Sequence, residues 1–144
     1  MLKDFSVVEI VDAIKKEIEK EKLPIGRQYL AEDYYERRVE EYRKQDKLVI
    51  FGAGNYGRLL YQMLCLEGLH SVQCFCDNTP ANQQRKVVDL DILAPEEAVR
   101  RYPDAMYIIT PKGYENEIAR QLVHNGVDIG QISIFVMALS GLEG

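Results

Sequence analysis

Gly52, Gly54 and Gly57 stand at G-x-G-x-x-G spacing, with Ala53, Asn55 and Tyr56 between them, and this run offers the most definite chemistry in the 144-residue chain. It lies between Leu48-Val49-Ile50-Phe51, a continuous apolar run suited to a strand buried on both faces, and an amphipathic stretch reaching about Glu67. In such a strand–turn–helix setting each glycine has its own task. The first permits the tight turn, the second lets a ligand approach the backbone without meeting a Cβ, and the third lets helix and strand pack closely. The helix then offers unpaired N–H groups and the positive end of its dipole, which suit a phosphate or pyrophosphate without any basic side chain.

Asp77 follows the next apolar run, Val72 to Cys76, and stands twenty residues beyond Gly57. An acid there accepts hydrogen bonds from ribose hydroxyls and repels a 2′-phosphate, so NAD is expected over NADP, with Arg58 and Arg85 as tempering charges. Asp77 and Asn78 also suit a turn leading into Pro80, and this reading stands beside ribose contact. Thr110 and Lys112 lie at the end of a further predicted strand, the edge where open α/β sheets hold ligands, and rank second. Tyr56 either covers a ligand or packs on the first helix. His70 and His124 have no neighbouring nucleophile or carboxylate in sequence, and His124 suits the last turn of its helix.

The elements that must position these groups alternate regularly. Strands are expected at residues 48–51, 72–76, 105–109 and 132–136, with apolar pairs at Val87-Val88 and Ile92-Leu93 between the second and third. Helices are expected after the glycines, from Pro95, and after the Thr110–Gly113 loop, the last carrying Ile118, Leu122 and Val123 and ending at Asn125-Gly126. Right-handed crossovers then call for a doubly wound, Rossmann-like parallel sheet of about five strands in the order 3-2-1-4-5. Residues 1–46 read as a helical extension and residues 47–144 as the nucleotide-binding domain. The extension opens with a Ser6/Glu9 capping box, a Phe5/Ile10 staple, and a stripe of Val7, Ile10, Val11, Ile14 and Ile18 that ends at Leu23-Pro24-Ile25-Gly26. A second helix, from about Ala31 to Lys44, places Tyr35, Val39 and Tyr42 on one face.

Composition narrows the classes. A net charge of −5, spread evenly along the chain, argues against a nucleic-acid partner, which needs a concentrated basic surface. No apolar run approaches the roughly 18 residues of a membrane span, and Met1 to Ile10 lacks the build of a signal peptide, so a cytoplasmic protein is expected. The three cysteines form no C-x-x-C pair or Cys/His cluster, and they read as buried hydrophobes with no metal to hold. No Tyr-x-x-x-Lys pair, Ser/His/Asp set or paired carboxylates can be picked out, and only nine residues follow Phe135. An independent dehydrogenase is therefore not expected.

The runs LVIFGAGNYGRLLYQML, VQCFCDNTP, ILAPEEAV, MYIITP and GVDIGQISIF resemble the Rossmann-like nucleotide-binding domains of bacterial polysaccharide biosynthesis. Such domains accompany nucleotide-sugar dehydratases and epimerases, sugar acyltransferases and sugar methyltransferases. The resemblance covers residues 47–136 and implies phosphate at Gly52, Gly54 and Gly57, ribose at Asp77, and Lys112 along the same edge. The redox-sensing NADH-binding repressors are similar through the glycine loop, but their DNA-binding winged helix should precede it, and residues 1–46 are too short and too acidic for that.

The expected function is thus a module binding NAD or a nucleotide sugar, through Gly52, Ala53, Gly54, Asn55, Tyr56, Gly57, Asp77, Asn78, Thr110 and Lys112. It is expected to be a free-standing binding subunit or a fragment of a larger protein, with a homodimer or a partner enzyme engaged through the N-terminal helices. The competing readings are a scaffold with a vestigial site and an NAD(H)-binding component of an oxidoreductase or redox sensor.

Overall fold

The structure is a computed structural model that describes residues 27–135, with side chains from Tyr34 onward. The capping box, the staple and the apolar stripe of the first expected helix lie outside these residues. The described chain runs α1 (Arg27–Arg43), β1 (Leu48–Phe51), α2 (Asn55–Leu66), β2 (Val72–Cys76), β3 (Lys86–Val87), β4 (Leu90–Leu93), α3 (Pro95–Arg101), β5 (Met106–Ile109), α4 (Glu115–His124) and β6 (Ile132–Ile134). Single 3-10 turns at Asn82–Gln84 and Ile129–Gln131 complete it.

The parallel strands stand in the order β4-β2-β1-β5-β6, which is the expected 3-2-1-4-5 arrangement, and β3 adds a sixth, antiparallel strand at the β4 edge. The central strands β1 and β5 are buried along their whole length, as continuous apolar runs require when helices cover both faces. On one face Leu60 and Leu64 of α2 and Tyr42 of α1 pack over Leu48, Ile50, Phe75 and Ile108. On the other, Ala98 of α3 and Leu122 of α4 pack over Val49, Phe51, Cys76 and Ile109. Fully burying Leu60 or Leu64 contributes roughly 1.5–3 kcal/mol each.

Two local features depart from simple periodicity. The β1–β2 register shifts between Leu48 and Val49, so that Leu48 faces Val72 while Val49 faces Cys74. Gln73 is the extra residue, and this bulge puts Val72 on the same face as Phe75 and leaves Cys74 and Cys76 together on the opposite one. Both cysteines are fully enclosed, and burial above all pushes the Cys74 thiol up to about 12. The second departure lies between β2 and β4, where a short turn and the β3–β4 hairpin replace a crossover helix. Val88, which sequence groups with Val87 as an apolar pair, instead occupies the hairpin loop with a φ of +57° and is exposed.

The last turns of α1 pack beside β6. Tyr34 donates its hydroxyl to the Ile134 carbonyl at 3.0 Å, and Tyr42 meets the Ser133 hydroxyl at 2.9 Å. The expected face of Tyr35, Val39 and Tyr42 is met at Val39 and Tyr42 and widened to include Tyr34. Tyr34 joins Val39 and Tyr42 in the core, while half-buried Tyr35 turns toward α2 and donates to Glu67 at 3.3 Å. No helix of the described residues is long and apolar enough to cross a membrane.

Candidate functional site

The sheet brings the glycine loop, the end of β2 and the end of β5 together at its C-terminal edge. Gly52 takes a φ of +107°, and a Cβ there would lie 2.6 Å from the Thr110 hydroxyl oxygen and 2.8 Å from Pro111. Gly57 is tighter still, because its missing Cβ would fall 1.8 Å from the Gly52 carbonyl oxygen. These two glycines let α2 start directly against β1. Gly54 differs: a Cβ there would meet nothing within 4 Å, so its surroundings are open to a ligand.

Gly54 is the N-cap of α2, and among the described residues no side chain caps that end of the helix. Gly54 and Asn55 are exposed, and the first-turn N–H groups of a helix have no partner within the helix itself. Tyr56 is half-buried and packs against the cluster shared by α1 and α2. Thr110 is buried, and its hydroxyl donates to the Phe51 carbonyl at 2.8 Å. It thereby supports the loop from below. Lys112 is exposed on the loop between β5 and α4.

Asp77 fastens the loop to the end of β2. One carboxylate oxygen accepts the Ala53 N–H at 2.8 Å and the Asn82 amide at 3.3 Å, and the other accepts the Thr79 N–H at 2.8 Å. The Thr79 contact is the turn expected from Asp77-Asn78; the Ala53 contact is not visible in sequence, because it spans 24 residues. A Thr79 side-chain contact joins these, so the roughly four acceptor sites of the carboxylate are taken up and a ribose hydroxyl would replace one of these donors. Partial burial works to raise the carboxyl, but the N–H groups of Ala53 and Thr79 and the side chains of Thr79 and Asn82 outweigh it and hold the value below 3.8.

That direction yields a testable pH dependence. A carboxyl whose value is lower folded than unfolded adds stability that is fully present above its unfolded value and is lost as pH falls through the folded one. Urea unfolding followed by circular dichroism should therefore show a steeper loss of stability below about pH 4 in the wild type than in Asp77→Asn. Identical acid limbs would mean that the Ala53 and Thr79 contacts contribute nothing.

Beside the loop lies a cleft of about 290 Å³, with a floor of Phe51, Pro111 and Ile118 and a wall that includes Asp77, Tyr114 and Glu117. Its size is near the lower end of small-molecule sites, room for one part of a dinucleotide. Asn78 and Gln121 also line it, and their side-chain amides pair with each other, at 2.9 and 2.8 Å. Tyr114, Glu117 and Gln121 had no signal in the sequence, since only the folded sheet sets α4 beside the end of β2. A larger hollow of about 680 Å³ lies between α2 and β3, lined by Tyr61, Cys65, Leu66 and Val88 among others. No glycine-loop residue lines it, so the smaller cleft is the one that matches the loop's chemistry. Among the described residues no group of three His, Cys, Asp or Glu is placed to hold a metal ion.

No protein-family model matches the chain, and no curated protein matches it. Solved structures do. The crystal structure of RSP, a Rex-family repressor, aligns with a TM-score of 0.54 and 22% identity over 73% of this chain and 53% of that one. The crystal structure of RSP in complex with β-NADH aligns with a TM-score of 0.52 and 17% identity, over 92% of this chain and 79% of that one. The likeness is one of fold. In the first of these alignments the chain spans about half the length of its neighbour.

Proposed function

We propose that this chain is an NAD(H)-binding module of the redox-sensing kind, which holds a pyrophosphate on the Gly52–Gly57 loop and a ribose at Asp77. The observation that carries this reading is the uncapped N-terminus of α2 opening beside Gly54, the one loop glycine whose missing Cβ leaves free space. The residues fit the group. Main-chain N–H groups at a helix N-terminus favour a diphosphate, and the Asp77 carboxylate, already ionised by its own hydrogen bonds, favours an unphosphorylated ribose.

The β-NADH complex of a structural neighbour supports the dinucleotide over a nucleotide sugar. Neither neighbour supports the polysaccharide-biosynthesis reading, which rests on the sequence resemblance alone. A sensor needs no catalytic acid or base over the nicotinamide: differential affinity for NADH and NAD⁺ is enough to shift a conformational equilibrium.

A thermal-shift panel with NAD⁺, NADH, NADPH, UDP-sugars, CoA and S-adenosylmethionine tests this directly. A ligand at about a hundred times its dissociation constant adds roughly 2.7 kcal/mol, which raises the melting temperature by several degrees. Shifts with NADH or NAD⁺ and none with NADPH are expected. A selective response to a UDP-sugar would replace this reading with the nucleotide-sugar one.

A further inference from the structure

We infer that Asn78 and Gln121 form a nucleobase reader, an amide pair that gives up its mutual hydrogen bonds to grip the adenine edge of the bound dinucleotide; this rests on the NAD(H) reading above. The two side chains come from opposite walls of the cleft, one after β2 and one from α4, and lie 43 residues apart in sequence. Each gives one donor and one acceptor to the other. Adenine presents the same pattern, an N6 amino donor beside a ring-nitrogen acceptor, and asparagine and glutamine amides match it with two bonds. Adenine carries this pattern on both edges that flank N6, with N1 on one side and N7 on the other, so a base entering between the two amides pairs with both at once.

The rest of the cleft suits a base rather than a phosphate. Asp77 and Glu117 line it, and no lysine or arginine does, so a phosphate would meet two carboxylates and no cation. Tyr114, 59% exposed at the N-cap of α4, offers an aromatic face for stacking, and Ile118 supplies an apolar floor. The diphosphate then falls to the glycine loop, and the base to the cleft beside it.

The test compares NADH with its 1,N6-ethenoadenine analogue, whose extra ring blocks the amino donor and the adjacent ring nitrogen, by calorimetry on the full chain. The wild type should hold NADH about tenfold more tightly. Gln121→Leu should weaken NADH by a similar factor and leave the analogue unchanged, and Asn78→Ala should do the same. Both positions sit at the surface, and unchanged thermal melts confirm that the variants fold. Equal wild-type affinity for the two dinucleotides, or a Gln121→Leu loss shared by both, overturns the base reader. If NADH binds tightly and Gly54→Val abolishes it while neither amide variant matters, the dinucleotide site stands and only the reader falls. If wild type binds neither compound, both fall together.

Discussion

Gly57→Ala should destabilise the fold by about 3 kcal/mol or more, the largest effect expected from a Cβ added at any glycine of the described residues. The added Cβ would sit 1.8 Å from the Gly52 carbonyl oxygen and 2.9 Å from its carbonyl carbon. Both are backbone atoms of a tight turn. That turn is held by the Gly52 N–H to the Cys76 carbonyl at 2.8 Å and by the Ala53 N–H to Asp77 at 2.8 Å, so it cannot give way by rotating a side chain. Relief requires α2 to lift off β1, which opens the packing of Leu60 and Leu64. Gly54→Ala is the matched control: its Cβ meets nothing within 4 Å, and a change within about 0.5 kcal/mol is expected. Equilibrium urea unfolding of the two variants compares them. Equal stability would mean that the approach of helix to loop is not a tight one.

The second large effect concerns binding. Gly54→Val should leave folding nearly intact, because its backbone lies at φ −83° and ψ −161°, a region open to any residue. Its branched side chain, however, would fill the space through which a diphosphate reaches the first-turn N–H groups of α2. A loss of more than about a hundredfold in NADH affinity is expected, equivalent to about 2.7 kcal/mol. The two glycines thus separate cleanly, one governing stability and the other access. A Gly54→Val variant that binds NADH as the wild type does would remove the phosphate site from the loop.

What could be read from the sequence were the features whose cause is local. The glycine spacing, the fully apolar runs of β1 and β5 and the proline opening α3 each impose a conformation through their own residues, and the alternation of strand and helix then leaves few topologies. The five-strand order and the place of Asp77 follow from that. The features it hid depend on partners distant in sequence. The Gln73 bulge is specified by its pairing with β1, since strict alternation would have put Val72 beside Cys74. The apolar Val87-Val88 pair gives no sign that a hairpin turns at Val88, a β-branched residue ill suited to positive φ. On α1, neighbouring tyrosines are equivalent until the Ile134 carbonyl selects Tyr34.

The candidate site divides in the same way. Its loop and its acid are local signals. Its cleft is not, because Tyr114, Glu117 and Gln121 on α4 meet Asp77 and Asn78 only through the parallel order of β2, β1 and β5. Thr110 combines the two. Its position at the strand end is a local signal, whereas the donation of its hydroxyl to the Phe51 carbonyl spans 59 residues and is not.

The central claim is that the chain binds NAD(H) at the glycine loop, and calorimetric titration of NADH into the full 144-residue chain tests it most directly. Saturable one-to-one binding with a negative heat-capacity change is expected, absent in Gly54→Val and much weaker for NADPH. A folded wild-type protein that takes up no NADH, or one whose affinity is the same in the Gly54→Val variant, would contradict it.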